Sequence, residues 1–189
     1  LIGSGSTEFA GSGGSEYISL SSATNLTTFT VCCWVYHPAP PSYEGVVGSL
    51  SGDATVIAIV DANTLRVRLY EDDAPGDYDR VDFDPGFTFV NSTWQHLAIT
   101  KTGSTVTAFL DGAKGATTGT LTDGTSTSTT GALKMQQIGG SDGSGTPGNE
   151  FGGKLAQLAI FNAVLTQEQI QSIKEKSYSE LSSSEKTNL

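Results

Sequence analysis

Residues 93–112 read TWQHLAITKTGSTVTAFLDG, and this stretch decides the fold class. β-Branched and aromatic residues fill positions 93–100, which is the composition of a strand rather than a helix. Positions 102–104 have turn chemistry, and apolar alternation resumes over 105–110. The pattern predicts a β-hairpin.

Both faces of this hairpin carry apolar side chains. Leu97 and Ile99 share one face, whereas Trp94, His96 and Ala98 share the other. Because neither face is plainly polar, each needs a covering layer, which a single solvated sheet does not provide. We therefore expect an all-β protein built as a sandwich of two sheets.

The order of residues in the hairpin resembles the centre of a laminin G-like domain. Trp94 is followed two places on by His96, then by the alternating apolar run and by Asp-Gly at 111–112. Residues 151–161 resemble the last core strand of that family, and residues 165–170 resemble the segment that follows it. The resemblance covers nearly the whole chain. It implies the antiparallel jelly-roll sandwich of the concanavalin A-like lectins and glucanases and of the pentraxins. Lectins, hydrolases, adhesins and structural modules share this sandwich, so the resemblance is specific for fold and leaves activity open.

The length of the chain, 189 residues, suits one all-β domain. We assign residues 1–176 to the jelly roll and residues 177–189 to a linker or tail towards a further domain. The chain starts without methionine and ends in a segment rich in Ser, Thr, Glu and Lys. We therefore expect a piece of a larger polypeptide, whose other domains are among its partners.

Charge and cysteine content exclude several classes of partner. Twenty acidic residues against ten basic ones give a net charge of -10, which repels phosphate backbones, so we expect no nucleic acid partner. No apolar run is long enough to span a bilayer, and we expect no membrane insertion. Cys32 and Cys33 are adjacent, so in a strand they point to opposite faces and are expected to be free, buried thiols.

Other segments carry weaker strand, turn and helix signals. Residues 8–10 and 16–20 predict an opening hairpin, and residues 117–131 predict a mobile Thr/Ser/Gly connection. One helix is expected to begin near Thr166, which with Gln169 forms a capping box. The side chains expected in the core are Trp34, Leu97, Ile99, Leu110, Leu158 and Ile160.

The candidates for catalysis are few. Asp82 and Asp84 project to one side of an extended segment and mimic a catalytic pair, but the ordinary role of such residues is to solvate an edge strand. Glucanases of the resembled family carry a Glu-x-Asp-x-Glu motif on one strand, and no strand here alternates in that way. His96 lies inside the core pattern, where structural histidines outnumber catalytic bases. We expect no catalytic residues and no enzymatic activity.

Tyrosines in or beside the predicted rim loops are the candidates for ligand binding, because their rings offer flat contact surfaces. We predict Tyr43, Tyr70 and Tyr78 as ligand-binding residues. The polar end of the chain also resembles sequence that follows laminin G-like modules in virion or cell-surface proteins of marine phages and bacteria. The favoured hypothesis is a non-catalytic adhesion or structural module on a virion or extracellular surface, with weak glycan or protein binding. The alternative is a dedicated, lectin-like carbohydrate-binding domain.

A calcium site is the one metal site that the resemblance suggests. Many members of the family hold calcium through an aspartate in the last core strand, and the matching position here is Ala156, which offers no side-chain oxygen. A second arrangement, similar to that of pentraxins, uses the loop after Ile138. There Asp142, Asn149 and Glu150 offer oxygen ligands among glycines, although a merely polar loop has the same composition. We expect a weak calcium site at these three residues.

Overall fold

The computed structural model describes residues 5–11, 16–39, 41–49, 56–70, 78–83, 88–120, 122–123, 131–140 and 149–187, with backbone alone for 114–120 and 122–123. These residues form thirteen strands, two α-helices and one turn of 3-10 helix at Tyr178–Glu180. The strands and helices in chain order are β1 (Thr7–Ala10), β2 (Ile18–Ser19), β3 (Phe29–Tyr36), β4 (Glu44–Gly48), β5 (Val56–Ile59), β6 (Leu65–Tyr70), β7 (Tyr78–Phe83), β8 (Trp94–Thr102), β9 (Thr105–Leu110), β10 (Ala113–Thr120), β11 (Thr122–Asp123), β12 (Gln137–Ile138), β13 (Gly152–Phe161), α1 (Gln167–Lys174) and α2 (Ser183–Lys186).

The strands form two antiparallel sheets packed face to face. The first sheet has six strands in the order β1-β13-β3-β8-β9-β10, and the second has seven in the order β11-β7-β6-β5-β4-β12-β2. The main apolar core lies between them and receives alternate residues from both inner faces. The all-β, two-sheet jelly-roll sandwich predicted from the sequence is confirmed.

The hairpin that decided the fold class is β8 and β9. Leu97 lies opposite Leu110, and Ile99 lies opposite Ala108, in antiparallel register. Leu97 and Ile99 point into the core between the sheets. Ala98 points the other way, into a second apolar cluster on the outer side of the six-stranded sheet. Both faces of the hairpin are therefore covered, as the alternation predicts.

Helix α1 covers that second cluster and begins where the sequence predicts. The Thr166 side chain accepts the Gln169 backbone N–H, and the Gln169 side chain accepts the Thr166 N–H, which completes the capping box. Leu165 before the cap and Ile170 in the first turn are both buried in the cluster. Leu165 and Ile170, on either side of the N-cap, are therefore positioned to form a hydrophobic staple.

The predicted opening hairpin is wrong. Strand β1 pairs with β13, Phe9 lying opposite Gly153, whereas β2 pairs with β12 in the other sheet. Glycines explain the partner of β1, because a Cβ built on Gly11 would lie 3.1 Å from the Cα of Gly152. The two backbones approach this closely because both residues are glycines, and they lie more than 140 positions apart in the sequence. The local sequence around β1 does not indicate such a distant partner.

The core prediction is right for Leu97 and Ile99, but the other four residues are only half-buried. Trp34 points to the outer side of the six-stranded sheet, because its neighbours Cys33 and Val35 point into the core. The other half-buried residues are Leu110, which ends β9, and Leu158 and Ile160, which lie on β13 beyond the last residue paired with β1.

The segment 117–131 was expected to be a mobile connection, but its first part is a strand. Strand β10 pairs with β9 as far as Thr120, and β11 pairs with β7 in the other sheet. Its many threonines are β-branched and suit a ladder once a partner strand is present. Residues 124–130 lie outside the described part of the chain.

Residues 177–187, predicted as a linker or tail, pack back on the sandwich. Leu181 is 7% exposed and lies in the apolar cluster beneath α1. The Nζ atom of Lys176 lies 2.8 Å from Oε1 of Glu185, which joins α2 to the end of α1. The boundary at residue 176 stays a prediction, and in the structure this segment is bound to the domain.

The helices of the described residues are all short. None of them is long and apolar enough to cross a membrane.

Candidate ligand-binding face

The structure brings the three predicted tyrosines to the outer side of the seven-stranded sheet. Tyr70 ends β6 and lies directly opposite Tyr78, which begins β7. Tyr43 precedes β4 and packs under Arg66, four residues before Tyr70 on β6. That spacing corresponds to about 13 Å along a strand. All three tyrosines are half-buried, so their rings are fixed against the sheet rather than standing free at loop tips.

Each of these three rings has a cation over it. The Arg66 guanidinium carbon lies 5.3 Å from the centroid of the Tyr43 ring, and that of Arg68 lies 4.6 Å from the Tyr78 centroid. The Lys134 Nζ lies 3.4 Å from the centroid of Tyr70. Such cation–π contacts hold rings and cations in fixed relative positions. The face is therefore an ordered arrangement of aromatic and basic groups.

Asp82 anchors two of the basic groups. Arg66 donates Nε to Oδ1 and Nη2 to Oδ2 of Asp82, both at 2.9 Å, and Arg80 donates to the same two oxygens. Partial burial raises the pKa of Asp82, but the hydrogen bonds from the two arginines outweigh it and lower the pKa to about 2. Asp82 is thus an ionised anchor for the two arginines. Asp84 lies outside the described residues.

His96 and the two cysteines, which are the other candidates for reactive side chains, are buried. His96 is 2% exposed and lies edge-on to Trp34, with ring centroids 5.4 Å apart. Burial lowers the pKa of His96 to about 4, with a further lowering from Lys174 that Asp111 partly opposes, so the ring is neutral near pH 7. Burial raises the pKa of Cys33 to about 12 and also raises that of Cys32, and both thiols are free, as predicted.

Two of the three predicted calcium ligands are described. Asn149 has a left-handed backbone, φ 53°, and its carbonyl accepts the Gly45 N–H at 2.7 Å, so this oxygen already has a hydrogen-bond partner. Glu150 is buried, and Asp142 lies outside the described residues. Over the described ranges, no three His, Cys, Asp or Glu side chains gather as a metal site. The calcium site stays a prediction.

The sequence analysis missed a row of half-buried aromatic residues on the six-stranded sheet. Tyr36 lies opposite Trp94, with ring centroids 5.4 Å apart, and Trp34 lies on the same outer face one step further along β3. Lys154 lies beside the row, its Nζ 5.8 Å from the Tyr36 centroid. Alternation within β3 gives this arrangement, because Cys33 and Val35 take the inner positions.

A groove of about 430 Å³ follows the edge of β13 near Gln157 and is lined mainly by apolar side chains. Gln157 has a left-handed backbone, φ 51°, at a bulge where the register with β3 shifts between Ala156 and Ala159. His96 and the exposed Tyr178 also line this groove. The sequence gives no signal for it, since a bulge depends on the register of the partner strand.

The fold and the sequence agree on one family. The family described as the concanavalin A-like lectin/glucanases superfamily matches residues 12–171, most of the chain. The chain belongs to this superfamily. No curated protein sequence is similar enough to count as a relative.

Several solved structures share this architecture at low sequence identity. The CBM40 domain of the Ruminococcus gnavus IT-sialidase, bound to α2,3-sialyllactose, is 16% identical, covers 89% of this chain and 97% of its own, and has a TM-score of 0.58. Domain 4 of a GH43 extracellular arabinanase from Geobacillus stearothermophilus, in complex with arabinotriose, is 18% identical over 82% and 68% of the two chains, with a TM-score of 0.54. The heptameric SAP-like pentraxin of Limulus polyphemus is 13% identical over 83% and 74%, with a TM-score of 0.53. At these identities the likenesses show a common fold.

Proposed function

We propose that this domain is a non-catalytic glycan-binding module of a larger virion or cell-surface protein. Its glycan site is the outer face of β6 and β7, and it serves adhesion to a glycan-bearing surface outside the cell. The observation that carries the proposal is the convergence of Tyr43, Tyr70 and Tyr78 on one face, each ring held by a cation.

The chemistry of this face suits a sugar. A sugar has flat patches of C–H groups that pack on an aromatic ring, and hydroxyl groups around its edge that need hydrogen-bond partners. Tyr70 and Tyr78 lie side by side across two strands, one strand spacing of about 4.8 Å apart. Lys134 and Arg68 lie over the two rings, so a sugar contacts the parts of the rings that these cations leave uncovered. The phenol and guanidinium groups around them supply the polar contacts.

Two of the neighbouring structures support the same reading. The sialidase CBM40 domain is bound to sialyllactose, and the arabinanase domain is in complex with arabinotriose. Both have the architecture of this chain, so a jelly roll of this size is able to hold a short oligosaccharide. A dedicated lectin, rather than an adhesion module with modest affinity, is the second candidate; measured affinity separates the two.

A glycan panel, probed with the purified domain with and without calcium, tests the proposal. We expect binding to at least one glycan class. Replacing Tyr70 or Tyr78 with alanine should weaken it about tenfold, which corresponds to the loss of a ring contact of about 1.4 kcal/mol. Tyr70→Phe and Tyr78→Phe keep the ring and should retain most of the affinity.

Tyr178 offers a matched control, because it is 70% exposed and lies on the opposite side of the sandwich, beside α1. Tyr178→Ala should leave binding unchanged. Failure of every glycan in the panel to bind contradicts the proposal, as does a loss of binding in Tyr178→Ala equal to that in Tyr70→Ala.

A further inference from the structure

All three arginines of the chain lie on the proposed glycan face. Arg66 and Arg68 are on β6 and Arg80 is on β7, at positions that alternate with the inward-pointing residues of those strands. Lys134 brings a further positive charge to the same face. In a chain with a net charge of -10, this concentration of guanidinium groups is opposite in sign to the rest of the protein.

Two of the arginines lie directly opposite one another. Arg68 and Arg80 are cross-strand partners in the β6–β7 register, whereas Asp82 is the partner of Arg66. Like charges in directly opposed positions repel one another, but Asp82 offsets part of this repulsion through the two hydrogen bonds that it accepts from Arg80. The fold therefore keeps two guanidinium groups side by side on one face.

The next pair along the strands is Tyr70 and Tyr78. Two residues along a strand correspond to about 7 Å, so the arginine pair and the tyrosine pair lie within the span of one monosaccharide and its substituent. The Arg68 guanidinium already leans over the Tyr78 ring. Asp82 holds the Arg80 guanidinium by two hydrogen bonds, which limits the directions in which its other N–H groups point.

We infer that the face binds a sugar that carries a carboxylate, such as a sialic or uronic acid. The carboxylate lies between Arg68 and Arg80, and the sugar ring lies against Tyr70 and Tyr78. A guanidinium presents two parallel N–H groups that match the two oxygens of a carboxylate, and a neutral sugar offers no equivalent. The inference rests on the proposed glycan-binding function and specifies its ligand class.

Calorimetry on the whole chain with paired probes tests the inference. The pairs are α2,3-sialyllactose with lactose, and trigalacturonic acid with its fully methyl-esterified form, which removes the charge and keeps the skeleton. We expect at least one acidic probe to bind about tenfold or more tighter than its neutral partner, since a hydrogen bond between charged groups is stronger than one to a neutral group. The difference should shrink as salt rises.

Arg68→Met and Arg80→Met are the informative variants, because methionine keeps the apolar stem and removes the charge. Each should abolish the preference for the acidic probe and should still unfold in one cooperative thermal transition, although Arg80→Met also removes an ion pair with Asp82. Lys154→Met, a lysine on the other sheet, is the control and should bind as the original chain does.

The possible outcomes distinguish the inference of an acidic ligand from the glycan-binding function on which it rests. Equal binding of acidic and neutral probes, lost in Tyr70→Ala, overturns the acidic class and leaves glycan binding in place. No binding of any probe or of the wider glycan panel overturns both. A fall in melting temperature in Arg68→Met together with lost binding assigns Arg68 a structural role and overturns the inference.

Discussion

A Cβ atom at Gly153 would stand 2.1 Å from the carbonyl oxygen of Tyr36. The two residues belong to β13 and β3, which pair antiparallel at the centre of the six-stranded sheet. No side chain fits at that distance, so the backbone of one strand would have to move. The glycine is thus required by the approach of the two strands.

We expect Gly153→Ala to destabilise the domain by about 1–3 kcal/mol, the usual cost of forcing extra atoms into a packed site. Gly5→Ala is the control, because a Cβ there meets nothing within 4 Å. Chemical denaturation of the two variants measures the difference. Equal midpoints for both variants and the original chain would show that the strand spacing accommodates a methyl group.

Leu97 and Leu110 differ in burial and should therefore differ in how much they contribute to stability. Leu97 is fully buried between the sheets, whereas Leu110, its cross-strand partner, is half-buried at the end of β9. Leu97→Ala should cost about 2–5 kcal/mol of unfolding free energy. Leu110→Ala should cost roughly 1–2 kcal/mol because less apolar area is lost.

Val90, which is 49% exposed, supplies the surface control for this pair. Val90→Ala should change the unfolding free energy by less than about 0.5 kcal/mol. A larger loss in Leu110→Ala than in Leu97→Ala, measured by urea denaturation, would reverse the order that burial gives.

Sequence reasoning recovers the features whose cause is local. The hairpin at 93–112 and the capping box at Thr166 and Gln169 depend on side-chain alternation and on residues three apart, and both are found where they are predicted. Residues 45–50, 55–60 and 65–70, separated by turn residues, predict a meander, and the strands found there, β4, β5 and β6, pair in that order.

Features that depend on distant partners are missed. The pairing of β1 with β13 requires glycines where the two backbones approach, at Gly11 and Gly152. The sequence of neither strand indicates that the other is its partner. Trp34 faces outward because it alternates with Cys33 and Val35, and its partial exposure depends on what packs on that outer face, which the composition of β3 does not indicate. Hydrophobicity alone therefore places Trp34 inside.

The candidate site is only partly predictable from the sequence. Tyr43, Tyr70 and Tyr78 are found by residue type, but their common face is known only once the β6–β7 register is fixed. The same register places Arg68 against Arg80. The cations over the tyrosine rings have no counterpart in the sequence pattern, because Lys134 is 64 residues from Tyr70.

His96 should make stability depend on pH in a defined window. Its pKa is lowered by burial from 6.5 to about 4 in the folded state, so between these values the unfolded chain binds a proton that the folded chain does not. His96 therefore leaves stability unchanged above pH 6.5. As pH falls from 6.5 to 4 the folded state loses stability, and the loss reaches roughly 3 kcal/mol at pH 4.

Replacing His96 with glutamine should flatten the stability curve between pH 6.5 and 4 relative to the original chain. The pKa of Asp82 falls lower, from 3.8 to about 2, so Asp82→Asn should shift the curve by removing two ion pairs but should change its slope only below that window. Urea midpoints measured at half-unit pH steps make the comparison. An unchanged slope in His96→Gln would remove His96 as the source.

Calcium at the loop after Ile138 gives the last prediction. A site formed by Asp142, Asn149 and Glu150 binds the folded chain and not the unfolded one, so calcium should raise the melting temperature. At ten times the dissociation constant the gain is about 1.4 kcal/mol. The Asn149 carbonyl accepts the Gly45 N–H with one of its two lone pairs, so both this oxygen and the side-chain oxygen can serve the ion.

Asp142→Ala and Glu150→Gln should each reduce the calcium-dependent rise, since each removes a charged oxygen ligand. Asp61→Asn is the matched control: Asp61 lies in another turn, where its side chain accepts the Asn63 N–H, and the amide keeps an oxygen for that bond. Differential scanning calorimetry with millimolar calcium, and with magnesium for comparison, measures the shift. An equal rise in Asp142→Ala, or none in the original chain, would mean that the buried carboxylate of Glu150 serves the fold alone and that the loop is merely polar.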